Sequence, residues 1–299
     1  MSDITPIDLY RWCSIRAQDL ATHPERRIPF RLVDTPEAMG EMMAAEFVEE
    51  IAAANRQGRS IRAIVPCGPR SWYEPFVRQV NQQRVSLKGL TVFHMDECLD
   101  WQGNLLAHND PHNFRSCMEN WFYRDVNPEL AVPQNQRVFP EPAKIEEIKR
   151  RIAQAPVDIL LGGWGQDGHL AYNQARRNPY SQLTLEQLRN CELRVQENNI
   201  DTLLALGHRS FGAAYQFVPP MSITLGMKEC LSARKIRVFS DTGAWKQTAL
   251  RIALFSPETA ECPLTLLQSH PDAIITATVD TARHPISEHP EWQFTGINA

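Results

Sequence analysis

Four short segments carry residue types that do chemistry, and each follows an apolar run of strand length. Pro66-Cys67-Gly68-Pro69-Arg70-Ser71 follows 61–65, and Met95-Asp96-Glu97 follows 90–94. GGWGQDGHLAYNQ (162–174) follows the run VDILL (157–161), and Asp241-Thr242-Gly243-Ala244-Trp245-Lys246 follows 235–240. Asp96-Glu97 offers a carboxylate whose pKa partial desolvation would raise, as a general base needs. The same pair would also serve as a helix cap followed by a first-turn acid. In 162–174, Gly162, Gly163 and Gly165 let the backbone approach a ligand closely. Asp167 and His169 flank Gly168, so a carboxylate and an imidazole share one small volume and form a proton shuttle near neutral pH. A structural turn with a satisfied histidine is the plainer alternative. Segments 68–71 and 243–246 each end a strand and open a helix, where free N–H groups favour an anion. Arg70 and Lys246 would add charge there, although Pro69 removes one donor. Two solvated cations near turns would read the same way. His108 and His112 are spaced i, i+4, but Pro111 argues for a turn and no third ligand is evident, so no metal is assigned.

These segments need a scaffold, and the chain alternates in a way that supplies one. After a short strand at 31–33, Thr35-Pro36-Glu37 opens a helix expected to run to Asn55, with Met39, Met42, Met43, Phe47 and Ile51 on a core-facing stripe. Strands at 61–65, 90–94, 157–161, 235–240 and 273–279 alternate with helices over 71–82, 113–123, 143–154 and 244–255. Residues 100–111 and 124–142 read as irregular, and periodicity does not decide between strand and helix at 202–207 or 223–231. The expectation is an α/β fold: a doubly wound, mostly parallel sheet with helices on both faces, Rossmann-like. Such sheets bind ligands outside the carboxyl ends of their strands. Four chemistry-bearing strand ends therefore define one candidate site. Residues 1–29 read as an N-terminal extension, 30–285 as one domain and 286–299 as a C-terminal tail.

The 299 residues are 43% hydrophobic and 22% charged, enough for a sizeable core. The net charge of −4 argues against a nucleic-acid binder or a basic membrane-surface protein. Cys13, Cys67, Cys98, Cys117, Cys191, Cys230 and Cys262 are odd in number and form no C-x-x-C pair, which suits a reducing cytoplasm. No apolar leader region and no stretch of about 18 apolar residues is visible. A cytoplasmic location without a membrane anchor is expected.

In this order the segments resemble the glucosamine-6-phosphate deaminase/isomerase family, whose wider fold includes the 6-phosphogluconolactonases. The resemblance spans about 31–279. FHMDE (93–97) is similar to the family's acidic strand end, and GGWGQDGHLAYN (162–173) to its glycine–aspartate–histidine loop. VPPMSITLGM (218–227), 242–246 and LTLLQSHPDAII (264–275) resemble later motifs. The resemblance implies an enzyme that opens the ring of a 2-amino-2-deoxy hexose 6-phosphate and moves a proton between C2 and C1. Ammonia and fructose 6-phosphate are its products, and no metal or organic cofactor takes part. It implies Asp96 as the base and His169 as the ring-opening group, oriented by Asp167. Arg209 and Lys246 would hold the phosphate, with Gly68, Arg70 and Ser71 in the phosphate loop.

Two departures stand out. Gln174 occupies a position where the deaminases carry Glu; it keeps size and hydrogen bonding but holds no charge. The phosphate loop reads CGPRSW rather than a run of small residues, so either a guanidinium fork replaces backbone amides or the substrate is a related one. A lactonase-like hydrolase, with His169 activating water, and a non-catalytic sugar-phosphate-binding protein are the alternatives. Glu97, Trp164 and Gln174 are further pocket candidates. Trp72, Trp101, Trp164 and Trp245 fall in or just after the four segments and would either wall a pocket, stacking apolar sugar faces, or fill gaps in the core. The implied partner is a small sugar phosphate, with no nucleic acid or membrane, and homo-oligomers are common in the family.

Overall fold

Short runs of β-branched and aliphatic residues bury both faces when they lie in the middle of a parallel sheet, and the computed structural model arranges them so. It describes residues 4–175, 180 and 182–294. In chain order the elements are α1 (Pro6–Cys13), β1 (Phe30–Val33), α2 (Pro36–Arg56), β2 (Ile61–Val65), α3 (Tyr73–Gln83), β3 (Leu90–His94), β4 (Asp96–Leu99) and α4 (Phe114–Met118). Then come β5 (Arg137–Val138), α5 (Ile145–Ala153), β6 (Ile159–Gly162), α6 (Leu185–Arg189), β7 (Arg194–Glu197), α7 (Ile200–Phe211), β8 (Met221–Thr224) and α8 (Met227–Leu231). The chain ends with β9 (Lys235–Ser240), α9 (Gln247–Phe255), β10 (Ala273–Thr278), α10 (Val279–Ala282) and α11 (Pro285–Glu288).

Seven strands form a parallel sheet in the order β1-β10-β9-β6-β2-β3-β5. Alternate strand residues feed two cores. Ile64, Phe93, Leu160 and Val238 pack on one face, and Ala63, Val65, Val92 and Leu161 on the other, as the two-residue strand period requires. From β2 the chain moves through β3 and β5 to one side, then returns through β6, β9 and β10 on the other. The order thus reverses beside β2, which opens a crevice at the strands' carboxyl ends. The α2 start is as expected: Thr35 Oγ1 accepts the Ala38 N–H at 3.1 Å, and Pro36 occupies the first turn.

Three features differ from the sequence reading. A second, antiparallel sheet of order β4-β8-β7 sits beside the first. Asp96-Glu97 therefore opens a strand, not a helix, with Asp96 opposite Thr224. Residues 202–207 lie within α7, and 223–231 splits into β8 and α8 at Gly226. The N-terminal extension, read from composition as an appendage, packs into the core. Trp12, Leu20 and Ile28 are buried in the cluster that covers one sheet face, and buried Arg251 of α9 donates to Ile15 O at 2.9 Å. Among the described residues no helix is long and apolar enough to cross a membrane.

Candidate active site

The crevice at the reversal point has a volume of about 680 Å³. Residues from all four strand-end segments line it: Gly68 and Arg70 after β2, Asp96 after β3, Trp164 and His169 after β6, and Lys246 after β9. Arg209 enters from α7. Six of the expected site residues and Trp164 thus meet in one place, although they span 68 to 246 in the chain.

Asp96 lies on the inner wall. Burial, reinforced by the neighbouring Glu97 charge, pushes its carboxyl up to about 8. Glu97 faces away from the crevice. Its two oxygens accept N–H bonds from Phe114 and Arg115 at 2.7 Å each, and Oε1 also accepts from Cys98 at 3.0 Å. Burial pushes Glu97 up to about 7 against the pull of those amides. Glu97 therefore anchors the start of α4 to β4 and is not a pocket residue.

The loop after β6 is built around glycine. A Cβ on Gly165 would lie 2.1 Å from His169 Cε1, so only glycine lets the imidazole lie against this backbone. Gly168 has φ +76°, a left-handed geometry that glycine adopts without strain, and it turns the chain between Asp167 and His169. His169 Nδ1 is 2.6 Å from Asp167 Oδ1. Burial raises the Asp167 carboxyl, but its pairing with His169 and the Asn199 amide outweighs burial and holds it down at about 2. An ionised carboxylate only accepts, so Nδ1 carries the hydrogen and Nε2 remains the exchangeable nitrogen. The Tyr172 ring stacks near the imidazole, with centroids 5.6 Å apart, and its backbone N–H donates to Thr224 Oγ1 at 3.0 Å.

Lys246 Nζ sits 5.6 Å from the centroid of the Trp164 ring. Burial, with Arg209 nearby, lowers its ammonium to about 8. Arg70 lies over the Trp121 ring at 4.2 Å, so the bulky loop residue is parked on an aromatic face at the crevice rim. Cations from β2, α7 and β9 thus line one opening and create a positive field suited to an anion.

Other expectations are corrected by the packing. Asp167 and Gln174 stand behind His169 and do not line the crevice. Gln174 Oε1 accepts the Asn199 N–H at 2.8 Å, and its Nε2 donates to Thr202 Oγ1 and lies 3.5 Å from His169 Nδ1. Ser71 is also off the wall, and its buried Oγ has no hydrogen-bond partner among the described residues. Of the four tryptophans only Trp164 lines the pocket. Trp72 is fully buried among Phe47, Phe76 and Phe122, whereas Trp101 is 76% and Trp245 47% exposed. His112, spaced from His108 like a metal ligand, instead lines the crevice and stacks on Phe211 at 4.9 Å. Asn199, which donates to Asp167 Oδ2 at 2.7 Å, went unread. An Asn immediately before the helical segment, with Thr202 three residues on, is the capping signal that marks it.

No family model matches the chain. Curated proteins do. A glucosamine-6-phosphate deaminase of Caenorhabditis elegans is 27% identical over 252 residues, 83% of this chain and 88% of that protein. The chain is thus similar in sequence to the glucosamine-6-phosphate deaminases. Similar proteins include one from Shewanella loihica, 28% identical over 69% of this chain and 72% of that protein. Human glucosamine-6-phosphate deaminase 2 is 27% identical over 75% of this chain and 77% of that protein. Solved structures show the same fold. A monomeric glucosamine-6-phosphate deaminase superposes with a TM-score of 0.70 at 18% identity, covering 85% of this chain and 98% of its own. A 6-phosphogluconolactonase from Shewanella baltica gives 0.57 at 15% identity, over 83% of this chain and 97% of its own. The fold and the resemblance expected from the four segments both stand.

Proposed function

We propose that the crevice binds an amino-sugar phosphate of the glucosamine 6-phosphate type, opens its ring, transfers a proton between C2 and C1, and releases ammonia to leave the ketose phosphate. The observation that carries this reading is the meeting of Asp96, His169, Arg209 and Lys246 on one wall system. A base, a proton shuttle and two phosphate-binding cations are the groups this reaction needs.

Arg209 and Lys246 grip the phosphate, with Arg70 and the Gly68 turn closing the anion end. His169 Nε2 takes the proton of the C1 hydroxyl and returns it to the ring oxygen as the C1–O5 bond breaks. Asp167 holds the ring tautomer and balances the transient imidazolium. Asp96 then removes the C2 proton and delivers it to C1, while the C2 amine gives up a proton to the aldehyde oxygen, so that C1 becomes the alcohol and C2 the imine. The resulting C2 imine takes up water and expels ammonia. A carboxyl pushed up to about 8 is a stronger base when ionised than an ordinary aspartate, which suits proton abstraction from carbon.

Gln174 favours a second reading. The group nearest the His169–Asp167 pair on that side is a neutral amide, and hydrolysis of a sugar lactone needs only an imidazole that activates water. Incubation with glucosamine 6-phosphate, with ammonia and ketose phosphate measured, is the primary test. Absence of both products, with 6-phosphogluconolactone hydrolysed, would select the lactonase reading. Thermal stabilisation by either sugar phosphate without turnover would select binding alone.

A further inference from the structure

Helix α7 has little apolar hold on the rest of the protein. Of its twelve residues only Thr202 and Gly207 are buried, and Ile200 and Leu204 stand exposed. Its seat is polar and lies at the first turn. Asn199 caps the helix, with Oδ1 accepting the Thr202 N–H at 3.0 Å. That bond fixes which way the carboxamide faces, because a reversed amide would set its oxygen against the Asp167 carboxylate. Nδ2 therefore donates to Asp167 Oδ2 at 2.7 Å, with Ala175 O at 3.3 Å on its other side. Gln174 completes the seat from below, accepting the Asn199 N–H and donating to the Thr202 hydroxyl. The other oxygen of Asp167 holds His169 Nδ1. One carboxamide thus joins the cap of α7 to the carboxylate that orients the imidazole. Further along, the same helix carries Arg209 into the crevice.

We propose that Asn199 is a positioning residue that couples the placement of α7, and with it the Arg209 guanidinium, to the orientation of the His169–Asp167 pair. An anion held by Arg209 restrains the far half of a helix whose near end is fastened chiefly by this cap, and the cap passes the restraint to Asp167. Binding energy at the phosphate is thereby spent on orientation at the reacting centre. The consequence for turnover rests on the proposed deaminase reading, but the coupling itself does not. In these terms Gln174 is part of the fastening, which gives its uncharged side chain a structural role.

Asn199→Ser separates the two jobs of the side chain. Serine caps a helix as well as asparagine does, but it has no second arm for Asp167. Carbon-13 NMR titration of the Asp167 carboxyl in the full chain should show its midpoint moved upward in Asn199→Ser, because the lost donor favoured the ionised form. Asn199→Asp keeps the cap and sets a like charge against Asp167, so it should move the midpoint up further and serves if the serine variant folds poorly. Inorganic phosphate should perturb the Asn199 side-chain amide signal in the wild type and not in Arg209→Ala. With glucosamine 6-phosphate, Asn199→Ser should lower kcat about ten- to a hundredfold, the effect of one hydrogen bond to a charged group, with KM within about twofold. An unmoved Asp167 midpoint, or a phosphate response that survives Arg209→Ala, would overturn the coupling. Both readouts hold whether or not the wild type deaminates, so failure of the reaction is told apart from failure of the coupling.

Discussion

Replacing Asp96 with Asn should abolish proton transfer and at the same time stabilise the folded protein at alkaline pH. In the unfolded chain Asp96 titrates near the ordinary 3.8, but in the crevice it is pushed up to about 8 by burial and by Glu97. Between those values the unfolded state is ionised and the folded state holds the proton. The contribution of this group to stability is complete below about 4 and is lost as pH rises toward 8. The full span of roughly four pH units corresponds to a ceiling of about 5–6 kcal/mol at 1.36 kcal/mol per unit. The crevice side of the carboxyl meets water, so the realised difference is a few kcal/mol. For a chain of this size that is a melting-temperature advantage for Asp96→Asn of roughly 5 °C or more at pH 9, shrinking to nothing toward pH 4. Thermal unfolding of both proteins across pH 4–9 measures it. In the wild type, kcat/KM should rise with pH toward 8 as Asp96 ionises, then fall as Lys246, lowered to about 8, gives up the proton that grips the phosphate. The profile should therefore be a narrow bell. A melting-temperature difference that is the same at pH 5 and pH 9 would show that Asp96 ionises normally, and the argument for it as a tuned base would fail.

Arg209→Ala and Lys246→Met should each weaken sugar-phosphate binding about ten- to a hundredfold, the loss of one hydrogen-bonded charge contact. Calorimetry with inorganic phosphate reads this directly, and unchanged binding in both would move the anion site elsewhere. Gln174→Glu keeps the acceptor for the Asn199 N–H and places a carboxylate oxygen 3.5 Å from His169 Nδ1, where the amide nitrogen stands now. Ammonia release should rise by at least about tenfold, or roughly 1.4 kcal/mol off the barrier; no gain would show that this scaffold does not use the charge. Trp12→Ala should cost about 3–5 kcal/mol in urea unfolding, because a side chain left only 4% exposed leaves a cavity between α1 and the body. A loss below about 1 kcal/mol would return the N-terminal segment to the status of an appendage.

The parts of the molecule that were legible in the sequence share a physical cause. Central parallel strands are largely buried on both faces, so Ile61–Val65, Leu90–His94 and Lys235–Ser240 announce themselves as short runs rich in aliphatic and aromatic residues with sharp ends. Every parallel strand delivers its carboxyl end to the same rim. Knowing where four strands stop was therefore enough to bring Asp96, His169 and Lys246 together without knowing the strand order. The β4-β8-β7 sheet was illegible for the opposite reason. Its strands are four residues each, too short for alternation to emerge, and Asp96-Glu97 at the head of β4 mimics a helix start. Side-chain direction was lost as well: Trp72 and Trp164 both follow strand ends, yet one turns into the core and the other into the crevice.

What the sequence withheld about the site is the layer behind the reacting groups. Asn199 lies 32 residues from Asp167 and reaches it only because α7 docks beside the β6 loop, a relation that no local pattern encodes. The capping signal at Asn199 tells where the helix begins, but not that the amide left over from capping has a carboxylate to hold. Glu97 makes the converse case. Beside Asp96 in sequence it reads as a pocket candidate, but strand alternation turns it to the far side of β4, where three backbone amides claim its two oxygens. Adjacent residues on a strand point apart, and distant residues on a cap and a turn converge. The acid–base geometry of this crevice is therefore set by tertiary docking of α7 and β4 against a rim that the sequence alone had already located.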